Sequence, residues 1–179
     1  MFGTLKSLFK SNDSGVRIFD KVWMSADAKV KACAALASAN PNCVFICWFQ
    51  ATYDQLKSFL SEENLMLASH ASSVSFQDKM IVFAEHHPLS RKELALFKSL
   101  NLKEAPVLSS LDEPFFMWFG GERTLLLMKK LGMDENEVVG SGMITKAIHN
   151  AQQKIEKQVV VEREANSQQE WLTLNLPPK

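Results

Sequence analysis

At 179 residues, with 46% hydrophobic and 22% charged content, the chain is sized for one domain with a core of its own. Its 20 basic residues balance its 20 acidic ones, which leaves no long-range field to steer it toward nucleic acid or anionic lipid. Only four arginines occur (Arg17, Arg91, Arg123, Arg163), and no apolar run approaches the ~18–20 residues of a membrane span, so neither a nucleic-acid role nor an integral membrane segment is expected.

Met1 to Lys10 has neither the apolar stretch nor the cleavage site of a signal peptide. The breaker cluster Ser11 to Gly15 follows, so residues 1–15 read as a flexible N-terminal arm. Val16 to Trp23 alternates imperfectly, which predicts a strand near a sheet edge. Ser25 caps the next helix, with Asp27 in its first turn and Val30, Cys33, Ala34 and Ala37 as its apolar stripe. Asn40-Pro41-Asn42 stops it. Cys43 to Phe49 is apolar at every position, as in a parallel strand buried on both faces. A helix carried by Tyr53, Leu56, Phe59 and Leu60 follows. Then come a short strand at Leu65 to Ala68, a polar loop from His70 to Gln77, and a second apolar strand at Met80 to Ala84.

Ser90-Arg-Lys-Glu93 has the spacing of a capping box, opening a helix with Leu94, Phe97 and Leu100 inside. Ala105 to Ser109 reads as one more strand, which Pro106 assigns to an edge or a strand start. Strands and helices alternating in this way predict an α/β fold over residues 16–110, a small parallel Rossmann-like sheet with flanking helices. From Leu111 the pattern turns helical, giving an extension over residues 111–179. Asp112-Glu-Pro114 opens one helix, Glu122 to Leu131 forms another with Gly132 just past its end, and the long helix runs from Met143 to about Val159. Three β-branched residues, Val159 to Val161, end or bend it.

Cys33, Cys43 and Cys47 form neither a metal-ligand pattern nor a pair within reach. Cys43 and Cys47 sit two pleats apart on one face, with Cα atoms roughly 13 Å apart, beyond disulfide range. They read as reduced core residues, which implies a reducing compartment, the cytoplasm.

The chemistry-bearing residues gather where the second apolar strand ends. Glu85, His86 and His87 leave it at the carboxyl edge, where open α/β sheets collect ligands, and Arg91 follows in the next helix. These four are the candidate ligand or interaction site. As a metal or acid–base centre the group lacks a third ligand at fixed spacing, and adjacent histidines leaving a strand diverge. The pattern favours a loop in which one of these groups satisfies main-chain donors or the helix start. Phe115, Phe116, Trp118 and Phe119 either plug a helical subdomain or form a contact patch. The stripe of Ile144, Ile148 and Ile155 either packs on the sheet or meets a partner, a second copy included. Those seven are the candidate partner surface. No nucleophile motif such as G-x-S-x-G occurs, and no catalytic residue, metal or cofactor is expected.

Three motifs in order carry a family resemblance. Leu111-Asp-Glu-Pro-Phe-Phe-Met-Trp-Phe-Gly-Gly-Glu-Arg123, Met128-Lys-Lys-Leu-Gly-Met133 and Ile144-Thr-Lys-Ala-Ile-His-Asn-Ala-Gln-Gln-Lys-Ile-Glu156 resemble one stretch of the SecA preprotein translocase ATPase. In that family the stretch links the second RecA-like domain to the long scaffold helix. Val22 to Lys29 and Ala84 to Arg91 resemble parts of the same RecA-like domain. The resemblance implies a degenerate RecA-like domain over 16–110 and the start of a scaffold helix in 111–179. It also implies a link to preprotein translocation and a protein partner, either a translocase component or self. The chain departs from the motor at its fuel site: it has no Gly-Lys dipeptide for a phosphate-binding loop and no Gly-Arg dipeptide. The acid-bearing loop before the penultimate strand shrinks to Ser72–Asp78. Two readings follow: a non-catalytic SecA-like protein acting through protein contacts, or a small-molecule or nucleotide-binding module using the strand ends near Glu85 to Arg91.

Overall fold

The computed structural model describes residues 15–72, 76, 78–140 and 142–178. The arm expected over residues 1–15 lies outside them, apart from Gly15, as do residues 73–75 and 77 of the expected polar loop. Five strands form one sheet: β1 (Arg17–Trp23), β2 (Cys43–Cys47), β3 (Leu65–Leu67), β4 (Met80–Phe83) and β5 (Glu104–Ser110), in the order β1-β5-β4-β2-β3. Every pairing between them is parallel. This is the small RecA-like α/β sheet, with β1 at an edge as its imperfect alternation predicts.

Burial explains β2. Its five residues are all buried, and the pleat sends them alternately to two cores. Cys43, Phe45 and Cys47 face a core shared with Val30, Cys33, Leu56 and Leu108. Val44 and Ile46 face another, shared with Phe83, Phe97 and Val107. The first core is covered by α1 (Ala26–Ala39), which Ser25 caps by accepting from the Ala28 amide, and by α2 (Gln50–Lys57). The second lies under α3 (Ser90–Ser99). All three cysteines are buried and free, and burial pushes the Cys33 and Cys43 thiols up to about 11. Two local expectations fail. Phe59 is 62% exposed because α2 stops at Lys57, before the turn that would have carried it inward. Pro106 lies in an interior strand, between β1 and β4, yet ahead of Val107, the residue registered with β4.

The extension comprises α4 (Pro114–Trp118), α5 (Gly121–Lys130), α6 (Gly142–Glu156) and α7 (Gln168–Asn175). The long helix ends at Glu156, ahead of the β-branched run, and Val160 and Val161 stand in solvent. Its stripe is covered from within the chain: Ile148, Ala151, Ile155 and Val159 pack with Phe49, Leu89, Phe115, Trp171 and Leu172 in a third core. The tail therefore docks back, closing the carboxyl end of the sheet. Gly120 and Gly132 bracket α5 with φ of 85° and 78°, where a side chain would be strained. At Gly121 a Cβ would lie 2.8 Å from the Leu111 carbonyl oxygen and from Phe116 main-chain atoms. Gly121→Ala is therefore expected to cost about 1–3 kcal/mol by overpacking, measurable as a lower urea midpoint.

Candidate functional site

The sheet order reverses at β2. From β2 the chain steps outward to β3, then crosses back to β4 on the other side, so the crevice between the carboxyl ends of β2 and β4 is the topological switch point. Glu85, just past β4, fills it. Its Oε1 accepts from the main-chain amides of Trp48 and Phe49, both at 3.0 Å, and its Oε2 accepts from the Thr52 hydroxyl at 2.7 Å. The carboxylate thus sits on the N-terminus of α2, the place where such folds seat an anion. The Ala51 amide, in the first turn of α2, donates to the Asn166 carbonyl of the tail at 2.9 Å.

Glu85 is 2% exposed, and burial pushes its carboxyl up to about 7 against the pull of Lys29 and the Thr52 hydroxyl. Lys29, itself 3% exposed, donates to the Ala84 carbonyl at 2.9 Å and pairs with Glu113 at 2.5 Å. Burial opposes its charge, but Glu113 and Glu85 outweigh that and hold its pKa above the usual lysine value.

A carboxyl raised in the fold stabilises it fully below its unfolded pKa, and that contribution is lost as pH rises through the folded one. Glu85 should therefore make stability fall between pH 4.5 and about 7. Glu85→Gln is expected to flatten that decline, and Glu85→Ala to cost about 2–5 kcal/mol by stranding two amides and a hydroxyl. Urea titrations across this pH range check both.

His86 faces the other way. Its Nδ1 lies 2.8 Å from Glu93 Oε1 and its Nε2 2.7 Å from Asp20 Oδ1, so both ring nitrogens donate and the ring is an imidazolium between two buried carboxylates. Burial opposes that charge, yet Glu93 and Asp20 carry its pKa up to about 10. Glu93 also accepts from the His87 amide at 2.8 Å and from Gln152 Nε2 at 2.7 Å. The capping box is thereby overturned. Glu93 is drawn into the buried network, and Glu156, at the end of α6, accepts from the Ser90 hydroxyl at 2.9 Å and the Arg91 amide at 2.7 Å instead.

His87 takes a third direction. Its Nδ1 accepts from the Leu89 amide at 3.0 Å, which leaves Nε2 to donate to Glu162 at 3.3 Å. The ring stacks on Phe49 and meets Trp48 and Trp171 edge-on. Glu162 also accepts from Trp171 Nε1 at 2.8 Å and pairs with Lys92 at 2.6 Å. Those partners outweigh its partial burial and hold its carboxyl down to about 2. Arg91 turns outward to the Val159 carbonyl.

Glu85, His86, His87 and Arg91 are therefore neighbours in sequence whose side chains point different ways, Glu85 and His87 meeting at Trp48 and Phe49 and His86 sharing Glu93 with the His87 amide. Among the described residues, no three His, Cys, Asp or Glu side chains converge to hold a metal ion. Of the candidate partner surface, Phe115, Ile148 and Ile155 are at most 3% exposed and belong to the chain's own third core. They are withdrawn from any contact face because the docked tail covers them. Phe116, Trp118 and Ile144 pack partly against that core, and Phe119 is 38% exposed.

Asp20, Lys29, Glu93, Glu113, Gln152 and Gln168 are network members that the motif reading missed. Lys29 and Gln152 did leave a signal, each being a polar residue at helical spacing within an apolar stripe (Lys29 before Cys33, Gln152 between Ile148 and Ile155). Beside the plugged crevice an open cleft of about 560 Å³ remains, walled by Trp48, Phe49, Lys92, Leu96, Glu162 and Asn166.

Comparison with known proteins adds a lineage for part of the chain. A stretch of 47 residues is 47% identical to the protein translocase subunit SecA of Maridesulfovibrio salexigens, covering 26% of this chain and 6% of that protein. Part of this chain is related to SecA. The SecA of Acidithiobacillus ferrooxidans is 49% identical over 47 residues, 26% of this chain and 5% of its own length. The SecA of a Sulfurovum species is 36% identical over 58 residues, or 32% and 7% respectively. The match thus spans only 5–7% of the length of these curated relatives. No family model matches the chain. Among the described residues no helix is long and apolar enough to cross a membrane.

Proposed function

We propose that this chain is a non-catalytic SecA-like protein that acts through protein contacts, accessory to preprotein translocation. The observation that carries the reading is Glu85. A carboxylate of the chain itself occupies the anion seat at the switch point, and the tail residues Asn166 and Trp171 close over it. A phosphate would have to displace a group that already satisfies the helix amides. The absence of Gly-Lys and Gly-Arg dipeptides from the sequence supports the same conclusion. The SecA-related segment supplies the link to translocation.

Thermal unfolding with ATP or ADP and magnesium tests the reading. A ligand at a hundred times its dissociation constant stabilises a fold by about 2.7 kcal/mol, so a flat response is expected and a clear upward shift would overturn the non-catalytic part. Cross-linking to purified translocase subunits tests the partner, and failure to cross-link to any of them removes the accessory role.

The second reading is a small-molecule site in the open cleft. It is favoured by one feature, the convergence of Lys92, Glu162 and Asn166 on the cleft's apolar floor. A metabolite screen by thermal shift, repeated with Lys92→Ala, separates it from the first.

A further inference from the structure

Asp20 commits only half of its carboxylate to the network. Its Oδ1 accepts from His86 Nε2 at 2.7 Å, whereas Oδ2 is buried and has no hydrogen-bond partner among the described residues. A buried carboxylate oxygen without a donor bears the full loss of its hydration, so it calls for a group that supplies one. The side chain lines a hollow of about 90 Å³ between β1 and α6. Val16, Ile18 and Ile148 form the apolar wall, and Thr145 and Gln152 stand on the polar one. Burial opposes the charge of Asp20, yet His86 and Thr145 hold its pKa below the usual value. The Thr145 hydroxyl is near enough to favour the charged form, but it forms no hydrogen bond with Oδ2. Gln152 spends its Nε2 on Glu93 and the His87 carbonyl, so its amide oxygen is what it can offer a guest.

We propose that this hollow is a binding site for one primary ammonium group on an alkyl stem. Charge selects it. Asp20 and Glu93 bring two negative charges against the single positive charge of His86, so the buried unit is one cation short. Both His86 nitrogens are already bonded, so the ring cannot supply what Oδ2 lacks. An ammonium group places one N–H on Oδ2 and has two more for the Thr145 hydroxyl and the Gln152 amide oxygen. The apolar wall covers the first carbons of its stem. An anion would meet the carboxylate. A metal ion would lack ligands, because no three His, Cys, Asp or Glu side chains converge among the described residues. His149 adds no charge at the rim, since its Nε2 accepts from the Gln153 amide at 2.9 Å. Ile18, Thr145 and His149 are half-buried, and the hollow opens to solvent between them. None of the lining residues belongs to the open cleft beside the switch point, so the proposal stands apart from both readings given above.

The test titrates the whole chain with methylammonium chloride at pH 7 and constant ionic strength, following thermal unfolding and NMR signals. Methylammonium is expected to raise the Tm saturably and to shift the His86 ring signals and the methyls of Ile18 and Ile148. The methyls of Val44 and Leu56, in the other two cores, should stay in place. Tetramethylammonium carries the same charge without an N–H and should do neither. Asp20→Asn keeps an oxygen for His86 and removes the charge, so it should weaken methylammonium binding by about tenfold or more. Ile18→Phe closes the mouth without touching the network and should block binding, which keeps the test decisive should Asp20→Asn fail to fold. A parallel titration with Nα-acetyl-lysinamide separates the sources of the group. Binding comparable to methylammonium assigns it to a lysine side chain, and binding of methylammonium alone assigns it to a free amine. No response to methylammonium, an equal response to tetramethylammonium, or unchanged affinity in the folded variants would overturn the site.

Discussion

His86→Ala is expected to lower the unfolding free energy by about 3–5 kcal/mol, the range for removing one partner from a buried ion pair. The imidazolium is the cation between Asp20 and Glu93, and the side chains of all three are at most 2% exposed. Without it two carboxylates from β1 and α3 face each other across a dry gap. Against a total stability of roughly 5–15 kcal/mol, that loss brings the variant close to unfolding at room temperature. Urea denaturation at pH 7 measures it, and a change under about 1 kcal/mol would mean the ring carries no charge there.

The pH profile gives an independent readout. His86 is raised in the fold, so its contribution is complete below its ordinary 6.5 and is lost as pH climbs through about 10. Wild-type stability should therefore decline on the alkaline side by a few kcal/mol, and His86→Gln should flatten that decline. Asp20 belongs to the same coupled unit. His86 outweighs the effect of burial and holds its pKa below the usual value, so its share is lost as pH falls through that lowered value. The two contributions describe one interaction and are not summed.

Trp171→Ala should be of similar size, about 3–5 kcal/mol for deleting a fully buried tryptophan. Trp171 is 1% exposed, meets the His87 ring at 5.7 Å and donates to Glu162 at 2.8 Å. Its removal leaves Glu162 with less to hold it and frees α7 from α4, to which Gln168 ties it through the Phe115 amide. Limited proteolysis is expected to cut the variant within residues 160–176 while leaving the sheet intact. Trp171→Phe keeps most of the packing and loses the indole donor, for a smaller loss of about 1 kcal/mol. Equal protease resistance of Trp171→Ala and the wild type would show that the tail is held by something else.

These two sites differ in how far the sequence exposes them. The elements were legible because their causes are local: Cys43 to Cys47 reads as buried from its own composition, and Ser25 and Gly132 mark helix ends by their own chemistry. The network was not legible, because its members pair across long stretches of chain. His86 meets Asp20, 66 positions away, and Gln168 reaches the His86 carbonyl 82 positions back. Such pairs leave no periodicity. Ser90-x-x-Glu93 shows the cost of reading locally: the spacing fits a capping box, but two histidines and a glutamine outbid the helix end for Glu93, and Glu156 takes over the cap.

The strand order has a consequence for how the molecule is made. β1 leaves the ribosome before the other strands, yet its ladder partner is β5, with Arg17 opposite Glu104 and Trp23 opposite Ser110. At usual translation speeds the wait between the two is on the order of ten seconds. Through that interval Val22 and Trp23, which end up buried, have no sheet to join. A nascent chain of this design carries its own aggregation hazard in β1 and escapes it only when β5 arrives.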